Sequence, residues 1–281
     1  MLFLTDSEGL TFHGSNPNIG VGVTLDRYFR SIPGNSAQQK FEVHTALVGG
    51  SNAYTWLMKV YDNPFQMVTY DENGTKHQLQ ASKDYTIPVP GIDEQVKLCK
   101  NHEPKVLVIE AGANMFGDGD DEHKGRNLLV PELLKKIQSY GFKCIWVGPP
   151  RVGVKALAPE KYDRINAKLR HMIDRPGGCL YVSSADKMDP ANLGAANQNE
   201  YHYDPIYGTQ WAKKVIPEVD PVLRGLSLAQ SSTESNPRFF EQAARSSNLT
   251  GVMQEKVHPK QEPFRGSGAT SSDKDRSAPA N

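Results

Sequence analysis

The chain has 281 residues, and its 32 Lys and Arg balance 32 Asp and Glu. That length suits one well-buried domain of roughly 200 to 230 residues with additions, and is short for two. A zero net charge removes the global basic field that a nucleic-acid or anionic-membrane partner would call for, so neither is expected.

Residues 1–5 are a short apolar run that meets Asp6 at once, too brief for the core of a secretory signal. No stretch of about 18 apolar residues follows, so no membrane span is expected. The chain is expected to be cytoplasmic as made, with release to the cell envelope by another route, as for a viral protein, left open. Short apolar runs then alternate with helical periodicity, the pattern of a parallel sheet covered by helices. Strands are expected at 1–5, 41–48, 105–110, 143–147 and 179–183. Helices are expected at 24–31, from about 51, and at 92–100, 128–140, 159–173 and 208–219. Residues 65–70 and 76–80 flank Asp71-Glu72-Asn73-Gly74, a hairpin signal with the Asn-Gly pair such turns favour, and are expected to form an insertion on the rim of the sheet within about 60–90. The fold class is therefore α/β: a three-layer, flavodoxin-like sandwich with a five-stranded, mostly parallel sheet and helices on both faces.

From 226 the composition turns to Ser, Gln, Ala, Lys and Pro with few core formers, which cannot offset its own ordering entropy. Residues 1–225 are expected as the domain and 226–281 as a largely disordered tail, with 238–244 as a helix able to dock. The three cysteines, Cys99, Cys144 and Cys179, lack metal-type spacing, and two lie in strand-like runs, so buried free thiols are expected. The acidic stretch 117–123 lacks the ligand spacing of a calcium loop and is expected to be a solvated lid, with no metal; His123 on it is a spare base.

Chemistry-bearing residues gather just after the expected strands, where open α/β sheets place their sites. Thr5-Asp6-Ser7 closes the first, and Val48-Gly49-Gly50-Ser51-Asn52 closes the second. Taken alone, these also read as a turn and as a helix start capped by Ser51 or Asn52. An apolar strand runs into Gly112-Ala113-Asn114, where an amide side chain donates without a pH-dependent charge. Last comes Asn199-Glu200-Tyr201-His202-Tyr203-Asp204-Pro205-Ile206-Tyr207-Gly208-Thr209-Gln210-Trp211-Ala212. A competing register there pairs Asp204 with Tyr207, but tyrosine is a poor base at neutral pH.

In their order and at these strand ends, the four motifs resemble those of the SGNH (GDSL-type) hydrolases, over Ser7 to Ala212. The resemblance implies a serine esterase or acyltransferase that needs no cofactor. Ser7 would be the nucleophile and His202 the base, with Asn199 where the family carries an orienting aspartate. The backbone N–H groups of Ser7 and Gly50 and the amide of Asn114 would form the oxyanion hole. Three positions depart from the family pattern: Thr5 for glycine, Met115 for aspartate, and Asn199 for aspartate. The Asn199 amide can orient the imidazole but supplies no charge to the imidazolium.

The family commonly removes acetyl groups from carbohydrates and cell-wall glycans, so the expected partner is an ester-bearing small molecule or glycan, and the expected activity is that of a carbohydrate or peptidoglycan O-acetyl esterase. Trp56, Tyr61, Phe65, Tyr70 and Tyr201 are candidate sugar-stacking residues, though each also reads as packing. Arg151 is a candidate contact for an anionic substrate group. The other class of reading is a catalytically retired SGNH domain serving as a glycan-binding or structural assembly module. A nucleotide binder falls behind, because no Gly-x-Gly-x-x-Gly turn or Walker loop is present.

Overall fold

The computed structural model describes residues 1–6, 19–32, 42–58, 60–61, 66–80, 87–88, 91–99, 105–112, 129–151, 158–188 and 203–231. The chain divides into two units, Met1–Phe239 and Phe240–Asn281, and every element below belongs to the first.

The strands are β1 (Leu2–Thr5), β2 (His44–Val48), β3 (Val60–Tyr61), β4 (Gln66–Tyr70), β5 (Lys76–Gln80), β6 (Ile87–Pro88), β7 (Val106–Glu110), β8 (Lys143–Val147) and β9 (Leu180–Val182). The helices are α1 (Val21–Ser31), α2 (Ala53–Met58), α3 (Ile92–Leu98), α4 (Leu129–Ser139), α5 (Pro159–Ile173) and α6 (Pro205–Ser231). The fold is α/β, with a mixed sheet of seven strands in the order β5-β4-β2-β1-β7-β8-β9, and β3 pairs with β6 apart from it. β2, β1, β7, β8 and β9 run parallel, β4 is antiparallel to β2, and β5 is antiparallel to β4.

The sheet corrects the five-stranded expectation. The hairpin lies at the edge of the sheet, where an insertion is expected, but it adds two strands to it: β4 pairs with β2 from Thr45↔Tyr70 to Val48↔Met67. Its turn forms because Asp71 Oδ1 accepts the amides of Asn73 and Thr75 at 2.9 and 2.8 Å, while Gly74 takes a φ of 80° that favours glycine.

Helices cover both faces. On one, Leu2, Leu4, Ala46, Val48, Leu107, Ile109 and Trp146 pack against α2 to α5. α4 buries Val130, Leu133, Leu134 and Ile137, and α5 buries Tyr162, Ile165, Leu169 and Ile173, each a stripe at helical spacing. On the other face, α1 presents Val21, Leu25 and Phe29, and the Phe29 ring meets Phe3 edge-on at 5.0 Å. α6 buries Trp211, Val215, Val219 and Leu223 beside α1. α6 is longer than the 208–219 expected from sequence and continues past 225, so the change in composition there does not stop it. Its internal Pro217 and Pro221 are exposed. No helix among the described residues is long and apolar enough to cross a membrane.

The cysteines are a second correction. Cys144 and Cys179 form a disulfide, their Cα atoms 4.5 Å apart, and only Cys99 is a free, buried thiol. The pairing follows from register: Ile145 faces Leu180, so the residues preceding them also lie side by side. Burial pushes the Cys99 thiol up to about 11 and leaves it a poor nucleophile.

Candidate functional site

Numbered among themselves, the parallel strands run 2-1-3-4-5, so the connections leave β1 in opposite directions on its two sides. A crevice opens at such a reversal, outside the carboxyl ends of the strands. Here the reversal lies between β1 and β7, whose carboxyl ends lead into Ser7 and Asn114. Ser7, Asn114, Asn199, Tyr201 and His202 lie outside the described residues, as do Phe65, Met115 and the 117–123 stretch with His123. The segments that carry them are described up to their edges, and those edges are joined.

Thr5, Asp6, Glu110 and Ser51 are all fully buried. The Asp6 amide donates to the Glu110 carbonyl at 3.2 Å, and the Gly112 amide donates to Asp6 Oδ2 at 3.3 Å. The Thr5 hydroxyl donates to the Glu110 carboxylate. On the other side of β1, the Ser51 hydroxyl donates to the Thr5 carbonyl at 3.4 Å. The end of β1 before Ser7, the residue after Gly50 and the end of β7 that leads to Asn114 are thus bonded together.

The chain entering Asn114 is held on its second side. The Ala111 amide donates to the Val147 carbonyl at 3.4 Å, and the Ala111 carbonyl accepts the indole N–H of buried Trp146 at 2.8 Å. At Gly112 a Cβ would lie 2.6 Å from Pro149 Cδ and 2.7 Å from Leu169 Cδ2, so glycine is required for close packing. Gly50 turns the chain after β2 with a φ of 68°, and is partly exposed at the strand end. Of the two candidate caps, Asn52 serves: its Oδ1 accepts the amides of Tyr54 and Thr55 at 2.9 and 3.3 Å and starts α2.

The segment before α6 is anchored at the same edge. Tyr203 is buried, and its hydroxyl donates to the Arg151 carbonyl beyond β8. Ser184 donates to the carbonyls of Gly148 and Pro149 at 2.6 and 3.0 Å, and Tyr162 also donates to Pro149. Asp204 Oδ1 accepts the Ile206 amide at 2.8 Å, which makes it the cap of α6. That use of its carboxylate counts against the register in which Asp204 orients a base. Thr209, one turn into α6, accepts the Gly20 amide at 2.9 Å, so the start of α1 meets the helix that follows His202.

No protein-family model matches the chain. No curated protein matches its sequence significantly either.

Two stacking candidates are overturned by burial. Trp56, on α2, is fully buried in the core, and Tyr70 is also buried, so neither offers a ring to a sugar. A helix pattern shows that a ring packs on one side, but not that this side meets the sheet. The side chain of Tyr61 is outside the described residues. Arg151 follows β8, and its guanidinium pairs with Asp163 at 2.5 Å and lies 5.5 Å from the Tyr162 ring centroid. A substrate anion would have to share it with Asp163.

Sequence reasoning missed Glu110, Trp146, Ser184 and Tyr162. Glu110 was the one detectable signal, a charged residue ending an otherwise apolar strand.

Proposed function

We propose that the chain is a serine ester hydrolase of the SGNH type, with Ser7 as nucleophile and His202 as base, acting on O-acyl esters of carbohydrate or peptidoglycan. One observation carries the reading. The Asp6 carboxylate accepts the Gly112 amide, so the residue before Ser7 and the residue two before Asn114 are bonded across the carboxyl ends of neighbouring strands. The strand order and the two helical layers support the three-layer, flavodoxin-like architecture this reading calls for, with the β4–β5 hairpin as an addition.

In the reaction Ser7 Oγ would attack the ester carbonyl while its proton passes to His202. The oxyanion would rest on the backbone N–H groups of Ser7 and Gly50 and on the Asn114 amide. The left-handed turn at Gly50 supports that assignment, since such a turn reorients successive amides at a strand end. Collapse breaks the bond to the alcohol, which leaves with the proton from His202, and water then releases the acyl group from Ser7 by the same two steps. Asn199 would orient His202 without stabilising its charge, a loss that in serine triads costs on the order of 10⁴ in rate. Asn199→Asp is therefore expected to raise turnover.

Thr5, Met115 and Asn199 favour the other reading, a retired domain that binds glycans or serves as an assembly module. Hydrolysis of p-nitrophenyl acetate by the protein beside Ser7→Ala and His202→Ala separates the two. Loss of turnover in both folded variants is the expected result. Equal background rates in all three, with no labelling of Ser7 by a fluorophosphonate, would overturn the esterase reading.

A further inference from the structure

Where the family carries glycine two residues before the nucleophile, this chain carries Thr5, and its side chain has a specific partner. Thr5 and Glu110 are registered neighbours on β1 and β7, and both are fully buried. The Thr5 hydroxyl donates to the Glu110 carboxylate, the Asp6 amide donates to the Glu110 carbonyl, and the Asp6 carboxylate accepts the Gly112 amide. Residues 5–6 and 110–112 are therefore joined by three hydrogen bonds, two of which use a carboxylate. Bonds buried as deeply as these face no competition from water and are stronger for it.

From this geometry we infer that Thr5 and Glu110 are positioning residues, whose side-chain bond fixes the end of β1 that leads to Ser7 against the end of β7 that leads to Asn114. The inference rests on the esterase reading above. Neither residue is assigned a contact with substrate. The bond acts through the backbone: it holds the last residue of β1 against the last residue of β7, so the two chain segments leave the sheet at a fixed offset. A glycine at position 5 leaves the Glu110 carboxylate without the Thr5 hydroxyl and frees the backbone at the end of β1. The family pattern by itself points the other way, since glycine is the residue it carries there. A misplacement of about 1 Å at a reacting group can lower a rate by about 100-fold, which is the scale of effect expected.

The test compares Thr5→Val, Thr5→Gly and Thr5→Ser with the wild-type chain by the rate of Ser7 labelling with a fluorophosphonate and by kcat and KM on p-nitrophenyl acetate. Circular dichroism and thermal melts check folding. Thr5→Val is expected to lower labelling and kcat by about 10- to 100-fold with KM within about twofold, because the oriented attack is lost and binding is not. Thr5→Gly is expected to be slow as well, and Thr5→Ser, which keeps the hydroxyl, to recover most of the rate. If Thr5→Val does not fold, the contrast between Thr5→Gly and Thr5→Ser reads the same quantity. Labelled wild type with Thr5→Val or Thr5→Gly at the wild-type rate overturns the positioning role alone. Wild type that neither labels nor turns over overturns the esterase reading, and this role with it.

Discussion

Reducing the Cys144–Cys179 disulfide should cost the protein several kcal/mol without altering its native contacts. The two cysteines are 35 residues apart in sequence, and the segment between them includes all of α5. Cross-linking a chain over that separation removes loop-closure entropy from the unfolded state worth about 3.8 kcal/mol at 25 °C. Both residues are buried and lie in register on adjacent strands, so two thiols fit where the bond stood and little of the cost should come from the folded state. For a unit of this size the difference corresponds to about 8–15 °C in Tm. The bond forms only where thiols oxidise, so protein folded under oxidising conditions is compared with protein unfolded, reduced and refolded in reductant. Urea melts of the two forms give the difference, and thiol titration of the unreduced, denatured chain should find Cys99 alone. Three titratable thiols would refute the pairing; one thiol with a stability difference below about 1 kcal/mol would refute the unfolded-state argument.

Two further predictions concern the core. Trp56 and Trp146 are both fully buried, but the Trp56 indole N–H has no partner among the described residues, whereas that of Trp146 bonds the Ala111 carbonyl. Trp146→Phe should therefore cost about 1–3 kcal/mol more than Trp56→Phe in urea melts, and equal losses would refute a structural role for that bond. His44 is buried against Gln95, and its pKa is lowered by desolvation, only partly countered by the Gln95 bond. The unfolded chain then takes up its proton at a higher pH than the folded one. The stability contributed by the neutral imidazole is present above about pH 6.5 and is lost as pH falls below that towards the folded value. The slope is at most about 1.4 kcal/mol per pH unit, and His44→Gln should remove it; an unchanged slope in that variant would refute the assignment.

Much of the fold was legible because its elements are local. β8 and α5 fall at the bounds their periodicity sets, 143–147 and 159–173, and the Asp71 to Gly74 stretch marks its own turn. A strand pattern, however, does not name its neighbour. The hairpin's place beside β2, and with it the growth from five strands to seven, depends on pairing between residues far apart in the chain. The cysteines show the same division. Their residue types suit buried thiols equally well, and only the register of β8 against β9 brings Cys144 beside Cys179.

At the candidate site, the sequence alone determined the motif residues and their places after strands, since residue type and periodicity are written locally. The tertiary structure decided what holds those strand ends together. The Asp6–Gly112 bond spans 106 residues, the Thr5–Glu110 bond 105, and the Trp146–Ala111 bond 35. It also decided that Trp56 faces the core. The bonds across strands and the burial of Trp56 arise only when distant segments meet, so no local pattern of residues encodes them; the Asp204 cap, two residues from its partner, is local.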